Sequence, residues 1–366
     1  MKYLIVCGGT AGHINPGLCI AEEIQSRLPQ AQIIFVGAGR ALEKRLIPEA
    51  GFELVNIKMS GIKRGIKPSD ILHNIKTVFN VLSAKGKVKK LLKSTKPKAV
   101  IGTGGYICYP VLKTAASMKI PTLIHESNAM PGMTVKLLSG IVDKVMISFD
   151  GYEKYYKKPE RLTLTGTPLR KEFYASCEDV EKNEANKIPL IVSFWGSLGA
   201  ERMNDIMAGF IQKNLADSSF HHIHAAGNNQ KILTYAPPYA DVREYIDDMP
   251  AVMKKADLVI CRAGAITIAE LLTLGKPSII VPSPYVPDNV QQENAKQLEK
   301  FGAAVVIEEA HCSDELLYQT AKELVSNKER LAKMSQAAVS LKAPNATSDI
   351  VDLIFKYVQE HGNDKY

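Results

Sequence analysis

The chain has 366 residues, 46% hydrophobic and 23% charged, a globular composition that is long enough for two domains and excludes intrinsic disorder over most of its length. No apolar run reaches the roughly 18 residues of a membrane-spanning helix, and the opening apolar stretch is too short for a secretory signal, so export is not expected. The net charge is +8, and six scattered cysteines (7, 19, 108, 177, 261 and 312) without a C-x-x-C pair fit a reducing compartment, with neither a disulfide framework nor a zinc site.

Along the chain, short apolar runs alternate with glycine turns and helical patterns. KYLIVC (2–7) leads into glycines and a helix from Pro16. QIIFVG (32–37), KAVIGTG (98–104), TLIHES (122–127) and KVMIS (144–148) are further buried strands. The scheme then repeats: PLIVSFWG (189–196) precedes a glycine turn and a helix from about Glu201, and HIHAAG (222–227), DLVICRAG (257–264) and PSIIVPS (277–283) follow. Apolar strands between helices imply parallel sheets covered on both faces. The expected fold class is α/β, two Rossmann-like domains facing across a cleft, spanning 1–166 and 167–343. Residues 344–366 form a last helix that packs back on the first domain. Ligands of such sheets bind beyond the carboxyl ends of the strands.

Charge is concentrated in one segment. Residues 60–98 carry eleven cations and one acid, Asp70, so the rest of the chain is close to neutral. Such a segment attracts phospholipid headgroups, nucleic acid or phosphorylated substrates, or serves as a solvated face. Within it, Ser69 caps a helical pattern in which Ile71, Ile75, Val78, Phe79 and Leu82 form one apolar stripe. That stripe is either core or a membrane-surface patch ringed by lysines. Phe79 is the segment's single aromatic, so it lacks the stacking platform of a single-strand nucleic-acid binder.

The glycine turns carry the chemistry. GGTAGH (8–13) offers backbone N–H groups to an anion at a helix start, or is a tight turn without a ligand. It lacks the G-x-G-x-x-G register, no acid follows QIIFVG, and no P-loop occurs, so neither a nicotinamide cofactor nor P-loop ATP binding is expected. His13 at the tip of that turn is placed to accept a proton, or merely packs. GTGGY (102–106) and HESN (125–128) end strands and bring Tyr106, His125, Glu126 and Asn128 toward the same edge, as ligands or as turn-forming groups. GTPLR (166–170) and GSLGA (196–200) add Arg170 and Ser197 for a diphosphate. CRAGAITIAE (261–270) places Glu270 more than one turn into a helix, suited to two ribose hydroxyls. DNVQQENA (288–295) supplies Gln291 and Gln292. With no Asp-x-Asp pair and no H-E-x-x-H, a metal site is not expected, and a departing diphosphate would be stabilised by Arg170 and protein dipoles.

The order GGTAGHINPGL, GTGGY, HESN, GTPLR, GSLGAERMN, CRAGAITIAE, DNVQQENA resembles the MurG family from about residue 5 to 295. The resemblance implies a GT-B glycosyltransferase, peripheral on the cytoplasmic face of the bacterial cell membrane, that needs no cofactor. It implies transfer of N-acetylglucosamine from UDP-N-acetylglucosamine to the muramoyl 4-hydroxyl of lipid I, the undecaprenyl-pyrophosphate-linked muramoyl-pentapeptide. The product is lipid II, formed with inversion. Carried over to these positions, Thr10, Ala11, Gly12 and Asn128 line the sugars and His13 is the candidate base. Arg170 and Ser197 hold the diphosphate, and Ile246 packs beside uracil. Ala265, Ile266, Thr267, Ile268, Ala269 and Glu270 cradle phosphate and ribose. Gln292 contacts the transferred sugar with Gln291 beside it. Ile75, Phe79 and Leu82 become the patch that docks on anionic lipid, and no nucleic-acid partner is implied.

Two positions depart from the family pattern. Ala11 replaces a glycine of GGTGGH and fits only if its φ is negative. Leu198 replaces the glutamine of GSQGA and makes no amide contact. Related alternatives on the same fold are a synthase that glucosylates diacylglycerol, against which the Gln291–Gln292 pair speaks, and a nucleotide-sugar epimerase.

Overall fold

The computed structural model describes residues 1–57, 85–175, 188–196, 199–228 and 239–361. The chain divides into two compact units, Met1–Leu169 with Asn345–Tyr366, and Arg170–Pro344.

The first unit carries strands β1 (Lys2–Cys7), β2 (Gln32–Gly37), β3 (Glu53–Asn56), β4 (Ala99–Gly104), β5 (Thr122–Glu126), β6 (Lys144–Ile147) and β7 (Leu162–Leu164). They form a parallel sheet in the order β3-β2-β1-β4-β5-β6-β7. Side chains alternate between two cores. Leu4 and Val6 pack with Ile34, Val36, Val100 and Ile124, whereas Tyr3, Ile5 and Cys7 pack with Phe35, Ile101 and Leu123. Burial on both faces explains why the central strands are nearly continuous apolar runs. Each such side chain contributes roughly 1.5–3 kcal/mol relative to exposure.

The second core is closed by the helix Ala346–His361, whose Ile350, Val351 and Ile354 are fully buried in it. Arg27 fastens that helix through Asp352 (2.5 Å) and the Ser348 hydroxyl (2.5 Å). Thr347 Oγ1 accepts from Leu169 N at 3.1 Å and donates to Leu169 O at 3.0 Å. The two points where the chain leaves and re-enters this unit are thereby tied together.

The second unit carries β8 (Leu190–Phe194), β9 (His221–Ala225), β10 (Ala240–Arg243), β11 (Leu258–Cys261), β12 (Ser278–Ile280) and β13 (Ala304–Val306), parallel in the order β10-β9-β8-β11-β12-β13. Both sheets reverse strand order beside their first strand, β1/β4 in one and β8/β11 in the other. Open α/β sheets place ligands at that crevice.

The expected parallel α/β architecture is present in both units. Two local expectations change. The first helix starts at Ala11, not Pro16, so Gly12 and His13 belong to its first turn and Pro16 lies inside it. The strands β3, β7, β10 and β13 were not expected; all four are sheet edges. The apolar stripe with Ile75, Phe79 and Leu82 lies outside the described residues. In the described remainder of the basic segment, residues 85–95 are helical, with Val88 and Leu92 buried and Lys85, Lys87, Lys89, Lys90 and Lys93 exposed. Among the described residues no helix is long and apolar enough to cross a membrane.

Candidate active site

In the first unit, β1 ends in Gly8 and Gly9, and Thr10 starts the helix Ala11–Arg27 from an extended conformation (φ −121°, ψ 160°). Ala11 is the first helical residue and is not among the residues with positive φ, so its methyl group is accommodated. His13 and Ile14 donate their N–H groups to Thr10 O at 3.0 and 3.1 Å. The first turn itself contains no acidic residue.

The half-buried His13 ring has its Nδ1 2.8 Å from the Gly8 carbonyl oxygen. A carbonyl only accepts, so Nδ1 carries the proton and the neutral ring keeps its lone pair on Nε2. The ring lies directly over Gly104: a Cβ there would stand 2.3 Å from His13 Cδ2 and 2.9 Å from Nε2. Gly105 protects the other end, because a Cβ there would stand 2.5 Å from Gly8 O. Thr103 Oγ1 donates to His13 O at 2.7 Å. The glycines of GTGGY thus seat a histidine.

HESN behaves differently from the ligand reading. His125 is 1% exposed, with Nε2 2.9 Å from Gly166 O, and burial lowers it to about 4. Glu126 is also buried. Its Oε1 accepts from Asn128 N and Nδ2, both at 3.0 Å, and its Oε2 accepts from Gly132 N at 2.9 Å. These two residues build the turn that presents the half-buried Asn128. Burial and hydrogen bonds within the fold occupy His125 Nε2 and both Glu126 carboxyl oxygens. Tyr106 OH accepts from Arg40 Nε at 3.4 Å, beneath the Arg40 guanidinium.

Sequence reasoning missed Glu43, which is fully buried beside the first glycine turn and accepts from the backbone of Gly9, Gly39 and Arg40. Its signal was the capping-box spacing Arg40-x-x-Glu43 at the start of Ala41–Glu49.

In the second unit, Gly264 (φ −66°, ψ 136°) opens the helix Ala265–Leu274, whose first turn contains no acid. The helix starts just beyond the carboxyl end of β11, where an anion-binding helix start is expected. Ile268 is fully buried, so any contact from it comes through its backbone. Glu270, half-buried on this helix, is raised to about 8 by desolvation, with the Arg170 charge opposing the shift. Arg170 is itself exposed, over the Phe173 ring. These two groups, a hundred residues apart in sequence, are therefore electrostatic neighbours. Ile246 is buried (1%) after β10. Ser197 and Leu198 lie outside the described residues, between Gly196 and Gly199, which both have positive φ.

The helix Val290–Lys300 opens from Asp288 and Asn289, both left-handed at φ 58° and 49°. Backbone strain of that kind concentrates at functional sites. Gln291 and Gln292 follow, both half-buried. Gln291 Oε1 accepts from Ser283 N at 2.8 Å, so its carbonyl end belongs to the fold. Asn294 in the same motif donates to Ala263 O at 3.1 Å and anchors the CRAG turn.

A cavity of about 360 Å³ lies at the β8/β11 crevice, lined by Trp195, Gly199, Ala200, Glu201, Arg202, Arg262, Ser283, Tyr285, Gln291 and Glu309. Arg262, which sequence reasoning passed over within CRAG, pairs with the buried Glu309 at 2.6 Å and lies over the Trp195 ring. Among the described residues no cluster of three or more His, Cys, Asp or Glu is placed to hold a metal ion.

Residues 3–147 match the model of the glycosyltransferase family 28 N-terminal domain, and residues 190–353 that of the family 28 C-terminal domain. A UDP-N-acetylglucosamine–N-acetylmuramyl-(pentapeptide) pyrophosphoryl-undecaprenol N-acetylglucosamine transferase from Acetivibrio thermocellus is 44% identical over 97% of both chains. The chain belongs to the MurG family. A crystal structure of MurG from Acinetobacter baumannii superposes with a TM-score of 0.77 at 28% identity, covering 97% of this chain and 100% of that one. UDP-GlcNAc 2-epimerase from Neisseria meningitidis, solved with UDP-GlcNAc, has the same fold (TM-score 0.66) at 15% identity, over 97% of this chain and all of that one. That likeness concerns architecture alone.

Proposed function

We propose that this MurG-family chain transfers N-acetylglucosamine from UDP-N-acetylglucosamine to lipid I, producing lipid II for peptidoglycan synthesis. The observation that carries this reading is the 44% identity to an enzyme of that name over nearly the whole of both chains.

The mechanism we propose uses the two strand-end sites. In the first unit, His13 Nε2 takes the proton of the acceptor 4-hydroxyl, since Nδ1 is committed to Gly8 O. The hydroxyl oxygen then bonds to C1 of the donor sugar from the face opposite UDP. The C1–O bond breaks, its electron pair leaves on the diphosphate, and the anomeric centre inverts. Asn128 and the Thr10–Gly12 backbone orient the sugars.

In the second unit, the N-terminus of Ala265–Leu274, Arg170 and Ser197 stabilise the charge that develops on the diphosphate. Glu270 takes the ribose hydroxyls, Ile246 packs on the uracil, and Gln292 contacts the transferred sugar with Gln291 beside it. The exposed lysines of residues 85–95 support docking on an anionic membrane, with Ile75, Phe79 and Leu82 as the apolar patch. The protein then works peripherally on the cytoplasmic face, and its product bears on cell shape and division.

The test is incubation of the purified protein with a lipid I analogue and a panel of labelled UDP-sugars. UDP-N-acetylglucosamine alone should give the lipid-linked disaccharide plus UDP. An epimerised free UDP-sugar, a glucosylated diacylglycerol or no transfer would overturn the reading.

A further inference from the structure

The Gly8–Gly9 peptide group is gripped at both ends. Its oxygen accepts from His13 Nδ1 at 2.8 Å, and its N–H donates to Glu43 Oε1 at 2.9 Å. The other carboxyl oxygen, Oε2, accepts from Gly39 N at 2.8 Å and Arg40 N at 3.0 Å. Glu43 has no exposed surface, and all three of these bonds ask it to accept, as a carboxylate does.

Glycines clear the space around this chain of groups. A Cβ at Gly37 would stand 2.7 Å from Glu43 Oε2, and one at Gly8 would stand 3.2 Å from Oε1. Gly105 and Gly104 do the same for the Gly8 oxygen and the His13 ring. The glycines of β2, of the first turn and of GTGGY, distant in sequence, thus converge on one carboxylate–peptide–imidazole line.

We propose that Glu43 is a positioning residue that fixes the tautomer of His13 and strengthens its basicity through the Gly8–Gly9 peptide. The proposal rests on the reading of His13 as the proton acceptor. A peptide group is polarisable. A negative charge on its N–H side shifts electron density toward its oxygen, and hydrogen bonds in such a chain strengthen one another. The Gly8 oxygen therefore accepts more strongly from Nδ1–H. That locks the proton on Nδ1, leaves Nε2 open, and favours the imidazolium that forms once Nε2 has taken the hydroxyl proton. A directly bonded carboxylate does this for the histidine of the Ser-His-Asp triad; here one peptide group intervenes.

Among the described residues, the titratable groups that interact with Glu43 and this turn are Arg40, Tyr106 and the thiols of Cys7 and Cys108. Burial, the neighbouring Cys108 and the Glu43 charge push Cys7 well up, and burial takes Cys108 to about 12. Arg40 and both thiols thus keep one charge state through the range in which histidine titrates.

The decisive variant is Glu43→Gln, which preserves shape but turns one acceptor into a donor facing backbone N–H groups. Ring titration by NMR, with His13 assigned by its loss in a His13→Gln sample, should show the His13 pKa lower by about half a unit or more. In kinetics the acid limb of kcat/KM should move the same way, and kcat should fall about tenfold or more while the KM for UDP-N-acetylglucosamine stays within about twofold. A folded variant whose His13 titrates at the wild-type pH overturns the proposal, whatever its kcat.

Should the variant not fold, the ¹⁵N shifts of the wild-type ring decide: protonation at Nδ1 in the neutral form is expected, and protonation at Nε2 refutes the relay. The NMR measurements need no substrate. If the wild-type protein transfers no sugar, the enzymatic reading falls separately from this one.

Discussion

Gly104→Ala tests whether the His13 ring sits where catalysis needs it. Gly104 has φ +119°, so any L-residue there is strained by about 1–3 kcal/mol. The new methyl would also stand 2.3 Å from His13 Cδ2. Carbon atoms pack at about 3.5–4.0 Å, so the ring must retreat by roughly 1 Å. Misplacing a reacting group by about 1 Å costs on the order of 10²-fold in rate.

Gly51→Ala is the matched control. It has φ +82° and nothing within 4 Å of the added methyl, so it carries backbone strain without a collision. In a unit of this size each kcal/mol lowers Tm by about 2–4 °C, and both variants should lose several degrees. Only Gly104→Ala should lose about a hundredfold in kcat, with the donor KM little changed because the donor is assigned to the second unit. Thermal melts and initial rates with UDP-N-acetylglucosamine and a lipid I analogue measure both quantities. If the two variants turned over within about threefold of each other, the ring–glycine contact would be irrelevant to catalysis and the reasoning would fail.

Other predictions concern single groups. His13→Ala should lower turnover by about 10²–10⁴-fold while leaving UDP-sugar affinity, measured by calorimetry, nearly intact; near-normal turnover removes His13 from the mechanism. Glu270 is raised to about 8, so between the ordinary carboxylate range and pH 8 the folded chain keeps a proton that the unfolded chain releases, and stability declines as pH rises. Glu270→Gln should therefore melt above wild type at pH 9, with the gap closing near pH 5, while UDP binding weakens; a lower melt at pH 9 would contradict the desolvation that raises it. His125 and His224 are both lowered to about 4 by burial, so the unfolded chain binds more protons below about 6.5, and stability is lost as pH falls toward 4. A Tm that stays flat from pH 7 to 4.5 would refute that.

The central strands were legible in sequence because burial on both faces leaves a continuous apolar run. β3 (ELVN), β7 (LTL), β10 (ADVR) and β13 (AVV) were not, because an edge strand is half solvated and its composition resembles a loop. His13 stood out as a histidine beside glycines at a strand end. His125 and Glu126 looked equally chemical, yet their polar atoms are spent on Gly166, Asn128 and Gly132.

Sequence alone determined the alternation of strands and helices, the glycine turns at strand ends and the motif order of the family. These are local patterns, set by periodicity and by backbone freedom within a few residues. The tertiary structure decided which polar groups at those ends face outward and which are enclosed. It joined Gly9 to Glu43 across 34 residues and brought the charge of Arg170 within electrostatic range of Glu270. Such pairings arise where parallel strands bring distant turns to one edge, and no periodicity along the chain encodes them.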